Sequence, residues 1–136
     1  MPEFGERSKR ELATAHPDLQ RLFTQVIKDF DVTILEGRRT TERQQALYAQ
    51  GRTAKGRIVT YADGVTHLSN HQRTDTAGRG LAVDVAPWPI DWDDESRFYR
   101  LAGFVQATAL HMGIHVEWGG DWPSKKRDLP HWQVRP

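Results

Sequence analysis

Residues 80–88 read GLAVDVAPW. Leu81, Val83 and Val85 alternate with Ala82, Asp84 and Ala86, the period of a strand whose successive side chains point to opposite faces. Pro87 has no amide to give a sheet ladder and marks its end. One face of this strand is apolar, and the other sets a single carboxylate between two alanines. An ionised carboxylate among apolar neighbours is expensive unless something offsets its charge, so Asp84 calls for backbone amides at a sheet edge, a cationic partner or a metal. The small Ala82 and Ala86 leave room for any of these.

The flanking sequence supplies layers for such a strand. Leu19, Leu22, Phe23, Val26, Ile27 and Phe30 recur at helical steps, as do Phe98, Leu101, Val105, Ala109 and Met112 before Gly113. Ser8-x-x-Glu11 and Thr41-x-x-Gln44 have the spacing of capping boxes, and His16-Pro17 is expected to stop the first helix. DVTILE at 31–36, residues 114–118 and residues 132–134 read as further strands. With no internal repeat or linker, the expectation is one α+β domain over residues 1–136, a small, mainly antiparallel sheet flanked by helices. Residues 52–80 are polar and glycine-containing, too long for an ordinary connection, and are expected to face a substrate.

Composition narrows the function. Nineteen basic residues against eighteen acidic leave a net charge of +1, which argues against nucleic acid as a partner. The clusters Arg38, Arg39, Arg43 and Lys125, Lys126, Arg127 read mostly as solvated faces. The absence of cysteine leaves only histidine and carboxylate as metal ligands. The N-terminal MPEFGERSKRE lacks a signal-peptide apolar region, and no segment approaches the roughly 18 apolar residues of a membrane span. Synthesis in the cytoplasm as a monomer is the expectation.

Of the six histidines, His111 and His115 flank Gly113 and do not share one continuous helix face, so they do not form a His-Glu-x-x-His site. His131 opens the last strand three positions after Asp128. His71, Asp84 and His131 together would make a catalytic zinc set of three protein ligands with a fourth position open. Asp128 would then serve as general base, and Arg39, at a strand-to-helix junction, would stabilise a developing oxyanion.

The elements Ser69-x-His71, Gly80-x-Ala82-x-Asp84 and Asp128-x-x-His131 resemble the signature of the zinc peptidases that include D-alanyl-D-alanine dipeptidases and carboxypeptidases and phage L-alanyl-D-glutamate endolysins. His16-Pro17-Asp18-Leu19, Gly37-Arg38-Arg39-Thr40 and Trp118-Gly119-Gly120-Asp121-Trp122 extend the likeness over most of the chain. The resemblance implies a hedgehog/D-Ala-D-Ala-metallopeptidase-like fold holding one zinc ion on His71, Asp84 and His131. It further implies Asp128 as the base and Arg39 at the transition state, with Ser69, Trp118 and Trp122 as candidate substrate contacts. One departure stands out: Asp84 follows His71 by thirteen positions rather than the family's seven, as though RTDTAG at 73–78 were inserted. That leaves His67 and Asp75 as rival ligands, although a longer loop between two ligands costs little closure entropy.

The implied function is a zinc-dependent peptidoglycan hydrolase of endolysin type, cutting the L-Ala-D-Glu bond of the stem peptide. No separate wall-binding domain is expected, and the enzyme would reach the wall through a holin or another release route. The rival readings are a D-alanyl-D-alanine carboxypeptidase or dipeptidase on the same site, and a zinc-containing binding module without turnover.

Overall fold

The alternating stretch is a strand, and it lies second in a four-stranded sheet. The computed structural model describes residues 2–136. In chain order the elements are α1 (Glu6–Ala13), α2 (Pro17–Val26), β1 (Val32–Glu36), α3 (Thr41–Ala49), β2 (Ala82–Pro87), α4 (Glu95–Met112), β3 (Val116–Trp118), a 3-10 turn (Gly119–Asp121) and β4 (His131–Val134). The strand order is β1-β2-β4-β3, and every neighbouring pair is antiparallel, so the α+β expectation holds.

Register sorts the sheet into two faces. Val83 pairs with Trp132 and Trp132 with Trp118, and these three join Val85, Ile34 and Val134 in the core beneath α2 and α4. Both helical stripes read from the sequence deliver residues to this core: Leu19, Leu22, Phe23 and Val26 from α2, and Leu101, Val105 and Ala109 from α4. Gly113 takes φ +72° after α4, a left-handed C-terminal stop that glycine adopts without a side-chain penalty. On the opposite face Asp84 pairs with His131, and Gln133 pairs with Ala82 on one side and Glu117 on the other.

A bulge brings β1 into this second face. Ile34 opposes Val85 but Glu36 opposes Asp84, so one extra β1 residue sits between the two pairs. Strict alternation would send Glu36 to the core side with Ile34. The bulge instead turns it toward Asp84, re-aiming a side chain as bulges beside functional sites commonly do.

Both capping expectations need correction. α1 begins at Glu6 with Gly5 before it, and Ser8 lies buried inside the helix. Its Oγ accepts from Ile34 N–H (3.0 Å) and contacts Thr33 Oγ1 (3.1 Å). β1 is an edge strand, and α1 covers that edge with polar groups: Glu11 Oε1 accepts from Gly37 N–H (3.1 Å), Thr14 Oγ1 from Arg38 N–H (2.8 Å). α3 is capped by Thr40, whose hydroxyl accepts from Arg43 N–H (3.1 Å), one residue before the expected Thr41. His16 caps α2 rather than merely ending α1, its Nδ1 accepting from Asp18 N–H (3.1 Å) with Pro17 in the first turn.

Candidate metal centre

Asp84 stands at the middle of β2, and His131, its partner across the ladder, lies on the same face. His71 arrives from the irregular 52–80 segment, and the β1–α3 junction clasps it. Its Nδ1–H donates to Gly37 C=O (2.8 Å), and its own carbonyl accepts from Arg39 N–H (2.8 Å). Ser69 Oγ accepts the His71 amide (3.2 Å), so this hydroxyl caps the turn that carries the histidine. Both imidazoles are buried.

One ligand atom from each of His71, Asp84 and His131 lies within 4.8 Å of the others, the one such His/Asp/Glu group among the described residues. His71 Nε2 is 3.2 Å and His131 Nδ1 3.6 Å from Asp84 Oδ1. Gly37 C=O can only accept, so the proton of a neutral His71 sits on Nδ1 and the Nε2 lone pair faces Asp84. On His131, Nε2 meets Gln133 Oε1 at 2.7 Å, which leaves the Nδ1 lone pair facing the same carboxylate. Three lone-pair donors turned toward one point repel unless a cation or shared protons lie between them. Two imidazoles and one carboxylate, with no thiolate, form a donor set that could hold a divalent metal ion.

The surrounding charges act on these groups in opposite directions. Burial alone would raise the Asp84 carboxyl, but His71 and His131 outweigh it and hold Asp84 well below the usual carboxylate range. Burial would lower His131, and the hydrogen bond and charge of Asp84 reverse this to leave it raised. Asp128, with Oδ2 3.8 Å from His131 Nδ1, is pushed up to about 6 by desolvation and then by the negative charge of Asp84. Gly119 makes room for this arrangement: a Cβ there would run into the Asp128 carbonyl and the Cβ atoms of Asp128 and His131.

Arg39 reaches the same cluster. Its Nη2 is 2.7 Å from Glu36 Oε1 and 3.6 Å from Asp84 Oδ2, and its Nη1 donates to Gln44 Oε1 (2.8 Å). Arg39 Nε is buried with no hydrogen-bond partner among the described residues. Gln44, fully buried, also donates from Nε2 to Ala62 C=O (2.8 Å) and Thr60 Oγ1 (3.1 Å), tying the long segment to α3 and to Arg39.

The rival ligands lie elsewhere. The His67 side chain is 77% exposed, 4.0 Å from Asp63. Asp75 accepts from the Ala77 and Arg79 amides (2.8 and 2.9 Å) and closes the 75–79 turn, so RTDTAG folds on itself between His71 and Asp84. Of the two tryptophans expected to touch substrate, Trp118 belongs to the core: it stacks on Trp132 (5.9 Å) and its Nε1–H donates to Leu129 C=O (2.7 Å). Trp122 does border the cluster, with its ring centroid 4.8 Å from that of His131. Glu36, Gln44, Glu117 and Gln133 were not anticipated. The signals available were slight: Gln133 lies two along the last strand from His131, and Glu36 three before Arg39.

No helix of the described residues is long and apolar enough to cross a membrane. The model of the phage L-alanyl-D-glutamate peptidase family matches residues 2–131. The peptidoglycan L-alanyl-D-glutamate endopeptidase CwlK of Bacillus subtilis is 34% identical over 117 residues, 80% of this chain. The chain spans 64% of that relative's length. The L-alanyl-D-glutamate peptidase of Escherichia phage T5 is 28% identical over 125 residues, covering 88% of this chain and 81% of that protein. The crystal structure of the Serratia marcescens L-Ala D-Glu endopeptidase ChiX matches with a TM-score of 0.72 and 28% identity, over 98% of this chain and 90% of that one.

Proposed function

The chain belongs to the phage L-alanyl-D-glutamate peptidase family, and from that premise we propose that it is a zinc-dependent peptidoglycan endopeptidase cleaving the L-Ala-D-Glu bond of the stem peptide. The observation that carries this reading is the convergence of His71, Asp84 and His131, with the carboxyl of Asp128 and the guanidinium of Arg39 beside them. The three converging residues would hold one zinc ion, which when bound polarises a carbonyl and brings the pKa of a water to about 7.

The chain's own groups account for the proton and the developing charge. Asp128, its Oδ2 3.8 Å from His131 Nδ1 and therefore beside the converging ligand atoms, would accept a proton from the attacking water. The same carboxyl returns that proton to the departing D-Glu nitrogen, so water is consumed and one carboxyl and one amine are formed. Arg39, fixed by Glu36 and Gln44 with its Nη2 3.6 Å from Asp84 Oδ2, would hold its guanidinium beside the charge that develops on the substrate. A donor held in advance where oxyanion charge develops needs no reorganisation during reaction. Trp122 and the 52–80 segment would border the peptide, and the site of action would be the wall after holin-type or other release.

Digestion of purified peptidoglycan with identification of the new termini tests the reading. New L-Ala carboxyl and D-Glu amino termini are expected. Free D-Ala or D-Ala-D-Ala as the sole product would replace it with the carboxypeptidase or dipeptidase alternative. Asp128→Ala is expected to retain zinc and lose hydrolysis by roughly 10²- to 10⁴-fold; full activity in that variant would remove Asp128 as base.

A further inference from the structure

The face of the sheet that carries Asp84 and His131 continues beyond the converging ligand atoms. Gln133 lies two residues along β4 from His131, buried, and faces Glu117 across the β3–β4 ladder. Its Oε1 is 2.7 Å from His131 Nε2 and its Nε2 donates to Glu117 Oε2 at 2.6 Å. Glu117 Oε2 also accepts from Trp122 Nε1–H (3.2 Å), and Arg135 lies against it.

The direction of this chain of bonds is not arbitrary. A side-chain amide can turn either its carbonyl or its NH2 toward a neighbour. Were the NH2 of Gln133 turned to His131, a neutral imidazole would accept at Nε2 and carry its proton on Nδ1, aimed at Asp84. Glu117, which when ionised only accepts, prevents that by taking the NH2. The amide carbonyl then faces His131 and can only accept Nε2–H. The carboxylate on β3 thus decides which nitrogen of a β4 histidine is free.

We propose that Gln133 is a positioning residue for the metal centre: oriented by Glu117, it holds the His131 proton on Nε2 and leaves Nδ1 free to ligate. The inference rests on the zinc reading above and extends it from three ligands to the relay that prepares one of them. Partners that fix the second nitrogen of a ligating histidine are worth roughly 10- to 100-fold in metal affinity. Trp122 serves the same relay, its Nε1–H holding Glu117 while its ring lies against His131.

The test uses the full chain and reads zinc affinity by chelator competition, with thermal unfolding of the metal-free protein as the fold control. Gln133→Leu is expected to weaken zinc binding by roughly 10- to 100-fold. Gln133→Glu alone sets two carboxylates face to face and is also expected to weaken it. The isosteric exchange Glu117→Gln with Gln133→Glu reverses the 117–133 bond, the amide at 117 now donating to the carboxylate at 133, but keeps an acceptor on His131 Nε2–H without facing carboxylates and is expected to recover the affinity. Proton–nitrogen correlation spectra of the metal-free protein at alkaline pH should place the His131 proton on Nε2 in the wild type and the exchange variant, but not in Gln133→Leu. Wild type that binds zinc alongside a folded Gln133→Leu of equal affinity, or an exchange variant no better than Gln133→Glu, would overturn the relay alone. Wild type that binds no zinc would overturn the metal reading and the relay with it.

Discussion

The two faces of the sheet differ by a single step along the same strands and are built on opposite terms. On one, Val83, Val85, Trp132 and Trp118 pack beneath α2 and α4, where burial of apolar area stabilises the fold without regard to ligand. On the other, Glu36, Asp84, His131, Gln133 and Glu117 bring charged and polar groups together partly out of water, at a cost that their mutual hydrogen bonds and charges offset. Stability and chemistry are therefore divided by strand alternation rather than by distance. Neighbouring residues should accordingly fail in different ways.

The largest separation is expected between Asp84 and its neighbours in the core. Asp84→Ala removes the carboxylate that both imidazoles face, so zinc binding and hydrolysis should be abolished. A ligand that binds only the folded state stabilises it by about 2.7 kcal/mol at a hundredfold excess over Kd. Wild type should gain melting temperature on adding zinc and Asp84→Ala should gain none. An equal zinc-dependent shift in the variant would take Asp84 out of the ligand set and break the division.

Trp132→Ala, one residue from His131, should give the converse. Trp132 is 1% exposed, with its ring against Phe23 (6.2 Å) and Trp118 (5.9 Å), and its truncation should cost about 3–5 kcal/mol of stability. Below its lowered melting temperature the variant should still be stabilised by zinc. Denaturant unfolding with and without the metal separates the two effects; loss of zinc binding from folded Trp132→Ala would show that the faces are not independent.

The division also explains what was legible in the sequence. The alternation of residues 80–86 and the stripes of α2 and α4 could be read because burial imposes a period, and Asp84 stood out because it interrupts one. Asp128 and His131 could be paired by spacing. The supporting residues had no such signal. Glu36 reaches the site only through a bulge that breaks the alternation, and Gln133 and Glu117 lie on strands too short to display a period. His71 is held by Gly37 C=O and Arg39 N–H, long-range contacts of an irregular segment that sequence spacing does not encode. Trp118 misled because an aromatic beside a motif can equally be core.

Ser8 gives the smallest effect and the sharpest check on how a local pattern is overridden. The spacing Ser8-x-x-Glu11 suits a helix cap, yet both side chains serve the exposed edge of β1, Ser8 accepting from Ile34 N–H and Glu11 from Gly37 N–H. Ser8→Ala should leave the Ile34 amide buried without a partner, at about 1–3 kcal/mol, and speed its hydrogen exchange while zinc affinity stays unchanged. Alanine alone does not distinguish the two roles, because losing a cap costs about 1 kcal/mol as well. Ser8→Asp does: aspartate caps helices as well as serine, but at a buried position beside Thr33 it would bring in a charge without a counter-ion. Ser8→Asp should therefore be the more damaging substitution in denaturant unfolding. An Asp variant as stable as the wild type would restore the cap and leave the β1 edge with some other cover.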